Sequence, residues 1–267
     1  MDEFMNLPWG RLAILLVCIY LLLCAFVWFF ADKVLFPVPL SPSYEEEFSN
    51  LKLETPKGNL IRCLHIKTPN PSLSIIYSHG NAEDLGMLES TLRNWTSSKW
   101  EIIAYDYPGY GLSGGNPSEA GCYEAVDAVY DYLVDELNRK PEQIVAWGRS
   151  LGTGLSTYLA SGKNLAGIIL EAPFLSAFRS LTEYDLFPMD RFRSYEYAKN
   201  IKSASLIIHG TMDQVIPFRH GFKLHQLLPE PKKFLEIHDA EHNDLSQVGG
   251  DRYESTIRDF LNSLLDG

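Results

Sequence analysis

Residues 143–162 read QIVAWGRSLGTGLSTYLASG. Ile144, Val145, Ala146 and Trp147 form a short apolar run rich in strand formers. Leu151, Leu155, Tyr158 and Leu159 then fall on one face of a helix. Between the two lies Gly148-Arg149-Ser150-Leu151-Gly152, a G-x-S-x-G pentapeptide. Strand, sharp turn and helix in that order predict a nucleophile elbow, which lifts a serine hydroxyl off the sheet edge. Small residues two before and two after the serine let strand and helix approach closely. The alternative is a plain tight turn whose serine only caps the helix beginning at Leu151.

The chain around this stretch has 267 residues and is 46% hydrophobic, ample for one sizeable core in an α/β domain. Lys and Arg number 23 against 34 Asp and Glu, a net charge of −11. Such a chain repels phosphate backbones, which argues against nucleic acid as a partner. It has no basic cluster for anionic lipid headgroups. The cysteines are Cys18, Cys24, Cys63 and Cys122, without metal-ligand spacing. A disulfide framework is not expected, although a single Cys63–Cys122 bridge stays open at this level.

Leu12 to Phe30 carries no charge over nineteen residues. As a helix it would span about 28 Å, close to a hydrocarbon core. It is longer than a signal-peptide core and ends in Val27-Trp28-Phe29-Phe30 rather than in small residues, so an uncleaved single-pass anchor is expected. Trp9 and Trp28 suit the membrane interfaces. Arg11 and Lys33 balance across the span, which leaves the side of the catalytic domain open. Phe36 to Tyr44 holds three prolines and reads as a stiff extended linker. The expected division is therefore 1–35 anchor, 36–47 proline-rich linker and 48–267 folded domain.

Within that domain, two strand-like runs around Pro56-Lys57-Gly58-Asn59 predict a hairpin. Strand-like and helical stretches then alternate, which predicts a mostly parallel central sheet with helices on both faces. Leu73–Ser78 is apolar throughout and should be buried on both faces. His79-Gly80-Asn81-Ala82 follows it, a loop whose N–H groups can point into a cavity. Residues 117–137 should form an amphipathic helix that buries Ala120, Tyr123, Val126, Val129, Tyr130 and Leu133. Residues 173–204 break the alternation and are crowded with aromatic residues. They predict a small helical insertion, which either packs the domain or forms an apolar lid over an acyl pocket.

Three loops at one end of this sheet hold Ser150, Asp213 and His242 in the chain order Ser, acid, His. A serine hydroxyl needs a base within hydrogen-bond reach, and imidazole suits that task by its pKa. The imidazole needs a carboxylate to fix its tautomer. Leu151 N–H, at the helix start, and Asn81 N–H are the expected oxyanion donors. Asp106 and His238 are the alternatives for acid and base. Asp106 precedes the serine and His238 sits at a strand end, so each ranks lower. Asp106 is expected to hydrogen-bond the glycine-rich loop that follows it, and His79 to buttress the oxyanion loop. His220 and His225 read as solvated or partly packed helix residues.

From about Phe36 onward the chain resembles the α/β-hydrolase superfamily. The motifs are SHGNAEDLG at 78–86, YDYPGYGLSGG at 105–115, GRSLG at 148–152, IIHGTMDQVIP at 207–217 and EHNDL at 241–245. Within it they are most similar to the membrane-associated α/β-hydrolase-domain proteins, which include protein depalmitoylases and single-span members. The resemblance implies the α/β-hydrolase fold, Ser150 as nucleophile, Asp213 as acid and His242 as base. It implies no metal or cofactor. The depalmitoylase branch reaches membranes through a cysteine-rich N-terminus. Here a hydrophobic span stands in its place, which favours the single-span branch. The expected function is cleavage of ester or thioester bonds through an acyl-enzyme, on lipid or lipidated-protein substrates. A serine peptidase of the same fold and a non-catalytic membrane-tethered scaffold are the alternatives.

Overall fold

The computed structural model describes residues 8–181 and 190–265. The apolar N-terminal run lies in one helix, α1 (Pro8–Leu35), of about 42 Å. Its stretch Trp9–Leu35 is long and apolar enough to cross a membrane, and most of its surface is exposed. The hairpin follows as β1 (Leu51–Glu54) and β2 (Leu60–Ile66), paired antiparallel. Then come β3 (Leu73–Ser78), α2 (Leu85–Trp95), β4 (Trp100–Tyr105) and α3 (Glu119–Asp131). The elbow strand is β5 (Ile144–Arg149) and its helix is α4 (Leu151–Gly162). After β6 (Gly167–Glu171) stand two short helices, α5 (Ala177–Leu181) and α6 (Ser194–Tyr197). The chain closes with β7 (Ala204–Gly210), α7 (Arg219–Leu227), β8 (Lys232–Ile237) and α8 (Leu245–Ser263), which kinks at Gly250.

The eight strands form one sheet in the order β1-β2-β4-β3-β5-β6-β7-β8. β3 through β8 pair in parallel, and the hairpin joins β4 antiparallel. Every residue of β3 and β4 is buried, as expected of strands covered on both faces. α2 and α8 cover one face through Leu88, Leu92, Ile257 and Phe260. α3, α4 and α7 cover the other through Val126, Val129, Leu155 and Leu224. The strand order reverses where β3 meets β5. In an open α/β sheet that switch point leaves a crevice beyond the carboxyl ends of the two strands. The loop after β3 carries Asn81 and the turn after β5 carries Ser150.

Several expectations change in detail. The buried stripe of α3 runs through Cys122, Ala125, Val126 and Val129, whereas Ala120 faces solvent and Tyr123 is half-buried. Helix α3 begins at Glu119, behind the Ser118 side chain that accepts the Gly121 N–H, and Val126, Val129, Tyr130 and Leu133 are buried as expected. It ends in a π-helical turn, Tyr132–Glu136. All four cysteines are free thiols, so Cys63 and Cys122 form no bridge and fill the core instead. The proline-rich segment does not hang free. Phe36 and Tyr44 are buried, and Asp84 accepts the Ser43 N–H at 2.7 Å.

In the 173–204 insertion, Phe174, Phe178 and Phe192 are all buried. The Phe192 ring meets Phe36 and Tyr123 edge-on, with centroids 6.0 and 5.7 Å apart, and packs where Gly154 has no side chain. The described aromatic residues thus pack the domain. Tyr184, Phe187 and Met189, from the same crowded stretch of sequence, lie outside the described residues. Phe192→Ala is expected to cost about 3–5 kcal/mol of stability in a denaturant titration. Unaltered unfolding with a changed acyl-chain preference would make Phe192 a pocket residue instead.

Candidate active site

Ser150 sits at φ 49°, ψ −116°, a positive-φ turn that a non-glycine residue adopts only under constraint. Its neighbours explain how the turn is held. The Ser150 N–H donates to the Glu171 carbonyl of β6 at 2.9 Å. A Cβ on Gly152 would collide with the backbone carbonyls of Ser78 and His79, and one on Gly148 with that of Gly152. Glycine at both positions therefore lets α4 start against the end of β3. Ser150 makes no side-chain cap on α4. Its hydroxyl lies 2.9 Å from His242 Nε2 instead.

His242 comes from the loop after β8, and its Nδ1 stands 2.7 Å from Asp213 Oδ2. Asp213 follows β7 and its Oδ1 accepts the N–H groups of Val215 and Ile216 at 2.9 and 2.7 Å. Burial opposes its ionisation, but His209, His242 and the backbone donor hold its pKa well below the usual carboxylate range. An ionised acceptor on Asp213 puts the proton of His242 on Nδ1. Nε2 is then free to accept the Ser150 O–H. The three expected residues thus form one hydrogen-bonded chain, with Asp213 and His242 buried and Ser150 half-exposed.

The two expected oxyanion donors flank the same crevice. Among the described residues, neither the Leu151 nor the Asn81 backbone N–H has a hydrogen-bond partner. His79 buttresses the loop as expected. It stacks on Tyr107 at 4.1 Å, and its Nδ1 is 2.7 Å from the Gly80 carbonyl. Asp106 is fully buried and acts elsewhere. It accepts from the Leu85 N–H at 3.1 Å and from the Tyr44 hydroxyl, so it ties α2 to the proline-rich segment. Its link to the glycine-rich loop is through its carbonyl, which accepts from Ser113 at 3.0 Å. His238 is exposed beside Glu236. His220 is buried, contrary to expectation. Its Nδ1 accepts the Leu175 N–H, and burial together with Arg219 pushes its pKa down to about 4.

Sequence reasoning missed a second chain of contacts. Glu83 Oε2 accepts the Gly80 N–H at 2.7 Å, and Glu83 Oε1 pairs with Arg149. Arg149 Nη2 reaches Asn243 Oδ1 at 2.8 Å. Gly80, Arg149 and Asn243 are each the immediate neighbour of an expected site residue: Asn81, Ser150 and His242. One ion pair thus ties the three loops together. The only sequence signal was a charged residue inside the elbow pentapeptide. A cavity of about 230 Å³ lies beside it, lined by residues that include Glu83, Arg149, Glu171, His242, Asn243 and Tyr253. Glu171 is buried there, and burial raises its pKa, while Trp147 and Tyr253 donate to it. In a double-mutant cycle on stability, Arg149→Met and Glu83→Gln are expected to couple by about 1–3 kcal/mol. Additive losses would mean that the pair holds nothing together.

Comparison with known proteins agrees with this architecture. The family model described as alpha/beta hydrolase fold matches residues 74–199. Alpha/beta hydrolase domain-containing protein 17B of Xenopus tropicalis is 35% identical over 211 residues, covering 78% of this chain and 73% of that protein. The Homo sapiens protein of the same name is 34% identical, covering 79% and 74%. Among solved structures, an esterase of Pyrococcus furiosus superposes with a TM-score of 0.66 at 16% identity, over 86% of this chain and 99% of that one. A monoacylglycerol lipase of Paleococcus ferrophilus gives 0.59 at 18% identity, over 77% and 98%. At such identity the two structures speak for the fold alone. The chain belongs to the α/β-hydrolase family, among the relatives of the alpha/beta hydrolase domain-containing 17 proteins.

Proposed function

We propose that this hydrolase is a membrane-anchored serine hydrolase that cleaves ester or thioester bonds through an acyl-enzyme. The observation that carries the reading is the hydrogen-bonded chain Ser150–His242–Asp213 at the switch point of the sheet. Ser150 Oγ attacks the acyl carbonyl as His242 Nε2 takes its proton. Asp213 stabilises the imidazolium that results. The N–H groups of Leu151 and Asn81 receive the negative oxygen of the tetrahedral intermediate. His242 then gives its proton to the departing alkoxide or thiolate. Water, deprotonated by the same imidazole, releases the acid and restores Ser150.

In this reading residues 1–35 hold the anchor, 36–47 join it to the enzyme, and 48–267 form the hydrolase domain with its 173–204 insertion. The substrate follows from location. An anchored site meets acyl groups presented at a bilayer surface, so lipids or lipid-linked proteins are the favoured class.

A fluorophosphonate probe is expected to label the wild-type chain and to leave Ser150→Ala unlabelled. Equal labelling of the two, or none of either, would sink the serine mechanism. The full chain, co-expressed with membranes, is expected to stay with the bilayer through an alkaline carbonate wash. Release into the wash would remove the anchor from this account.

A further inference from the structure

We propose that the last turn of α1 is a working part of the candidate oxyanion loop, with the Leu35 carbonyl seating the Asn81 side chain. Asn81 is then a positioning residue as well as a donor, because its amide holds its own backbone N–H toward the reacting carbonyl. This rests on the acyl-transfer reading above.

A helix leaves its last carbonyls without intrahelical donors. Helix α1 stops at Leu35, and the residue that follows, Phe36, precedes Pro37 and is steered out of helical geometry. Phe36 N–H still reaches Asp32 O at 3.0 Å. The Leu35 carbonyl instead accepts from Asn81 Nδ2 at 2.5 Å. The other end of the same amide, Oδ1, accepts from the Tyr110 hydroxyl at 2.6 Å. Held at both ends, the amide cannot rotate. The residue before it, Gly80, is held by its bond to Glu83, which leaves the Asn81 amide as the contact that sets the Asn81 end of the loop.

The helix end is itself anchored in the domain. Phe36 is 4% exposed and meets Tyr110 and Phe192 edge-on, at 6.4 and 6.0 Å between centroids. Leu35 packs on the same core. Arg191 stands 3.6 Å from Asp32 and lies over the Trp28 ring at 5.9 Å. The segment that would leave the bilayer therefore shares one rigid junction with the loop that would bind the oxyanion. A tether alone needs no such contact.

The test uses the full chain in lipid nanodiscs, with p-nitrophenyl butyrate as substrate and rates counted per fluorophosphonate-titrated site. Counting per titrated site removes losses due to misfolded protein. Asn81→Ala keeps the backbone N–H but frees the loop. It is expected to lower kcat about tenfold with KM held within about twofold, the pattern of a displaced transition-state donor. Phe36→Leu loosens the helix end and is expected to lower kcat about threefold in the wild type, yet to add almost nothing on Asn81→Ala, because both act through one contact. Unchanged kcat in Asn81→Ala, or additive losses in the double variant, overturns the proposal. If Asn81→Ala does not fold, Tyr110→Phe takes its place. It removes the hydroxyl at the other end of the amide, and kcat must again fall at constant KM. A wild-type chain that takes no label would overturn the acyl-transfer reading, and this proposal with it.

Discussion

Much of this molecule is arranged to hold one residue in a backbone conformation it would not choose. Ser150 at φ 49° stores strain on the order of 1–3 kcal/mol, which persists only where the surroundings over-determine it. The surroundings here are the two central strands. β5 is paired on both sides, by β3 and β6, and the carbonyl that fixes the Ser150 N–H is the last of β6. α4 cannot retreat from the sheet, because Gly152 already lies against the carbonyls of Ser78 and His79. A strained turn at a sheet edge would relax. At the middle of eight strands, relaxing it would break the pairing of its neighbours.

The same central placement brings charge to the crevice, and the fold deals with it by pairing. Asp213 is ionised in a buried setting because backbone N–H groups and two imidazoles face it. Glu171, equally buried but offered only neutral donors from Trp147 and Tyr253 beside the more distant Arg149, is pushed toward its protonated form. Two buried carboxyl groups thus differ in charge state because their partners differ. Glu83 is the third, and it is matched directly by Arg149. The charges nearest Ser150 are therefore set by local partners.

How much of this could be read from the chain depends on the range of the interaction. Residues 143–162 carry strand, turn and helix within twenty positions, so the elbow is legible from local spacing alone. Asp213 and His242 are legible because each follows a strand, and parallel strands deliver their following loops to one end of a sheet. The Glu83–Arg149 pair spans 66 positions and obeys no periodicity, so only coordinates reveal it. The error at Ala120 was of another kind. Val126, Val129, Tyr130 and Leu133 of the expected stripe are buried, whereas Ala120, in the first turn of α3, faces solvent. The burial of His220 is not legible from helix spacing, because its ring meets the Leu175 backbone, 45 positions away in the chain.

The proline-rich segment bears most directly on how an anchored enzyme of this kind would work. Three prolines between Phe36 and Tyr44 stiffen the chain, but stiffness alone would leave the domain free to pivot at either end. Both ends are instead buried: Phe36 among aromatic rings, and Tyr44 on the carboxylate of Asp106. Asp106 also holds the first N–H of α2, the helix that follows the loop carrying Asn81. The segment is therefore clamped to the elements around the crevice rather than to a remote surface. An enzyme joined this way would keep its crevice at a fixed attitude to the helix axis. It would then select substrates by where their acyl bond sits relative to the bilayer, before any pocket contacts the chain.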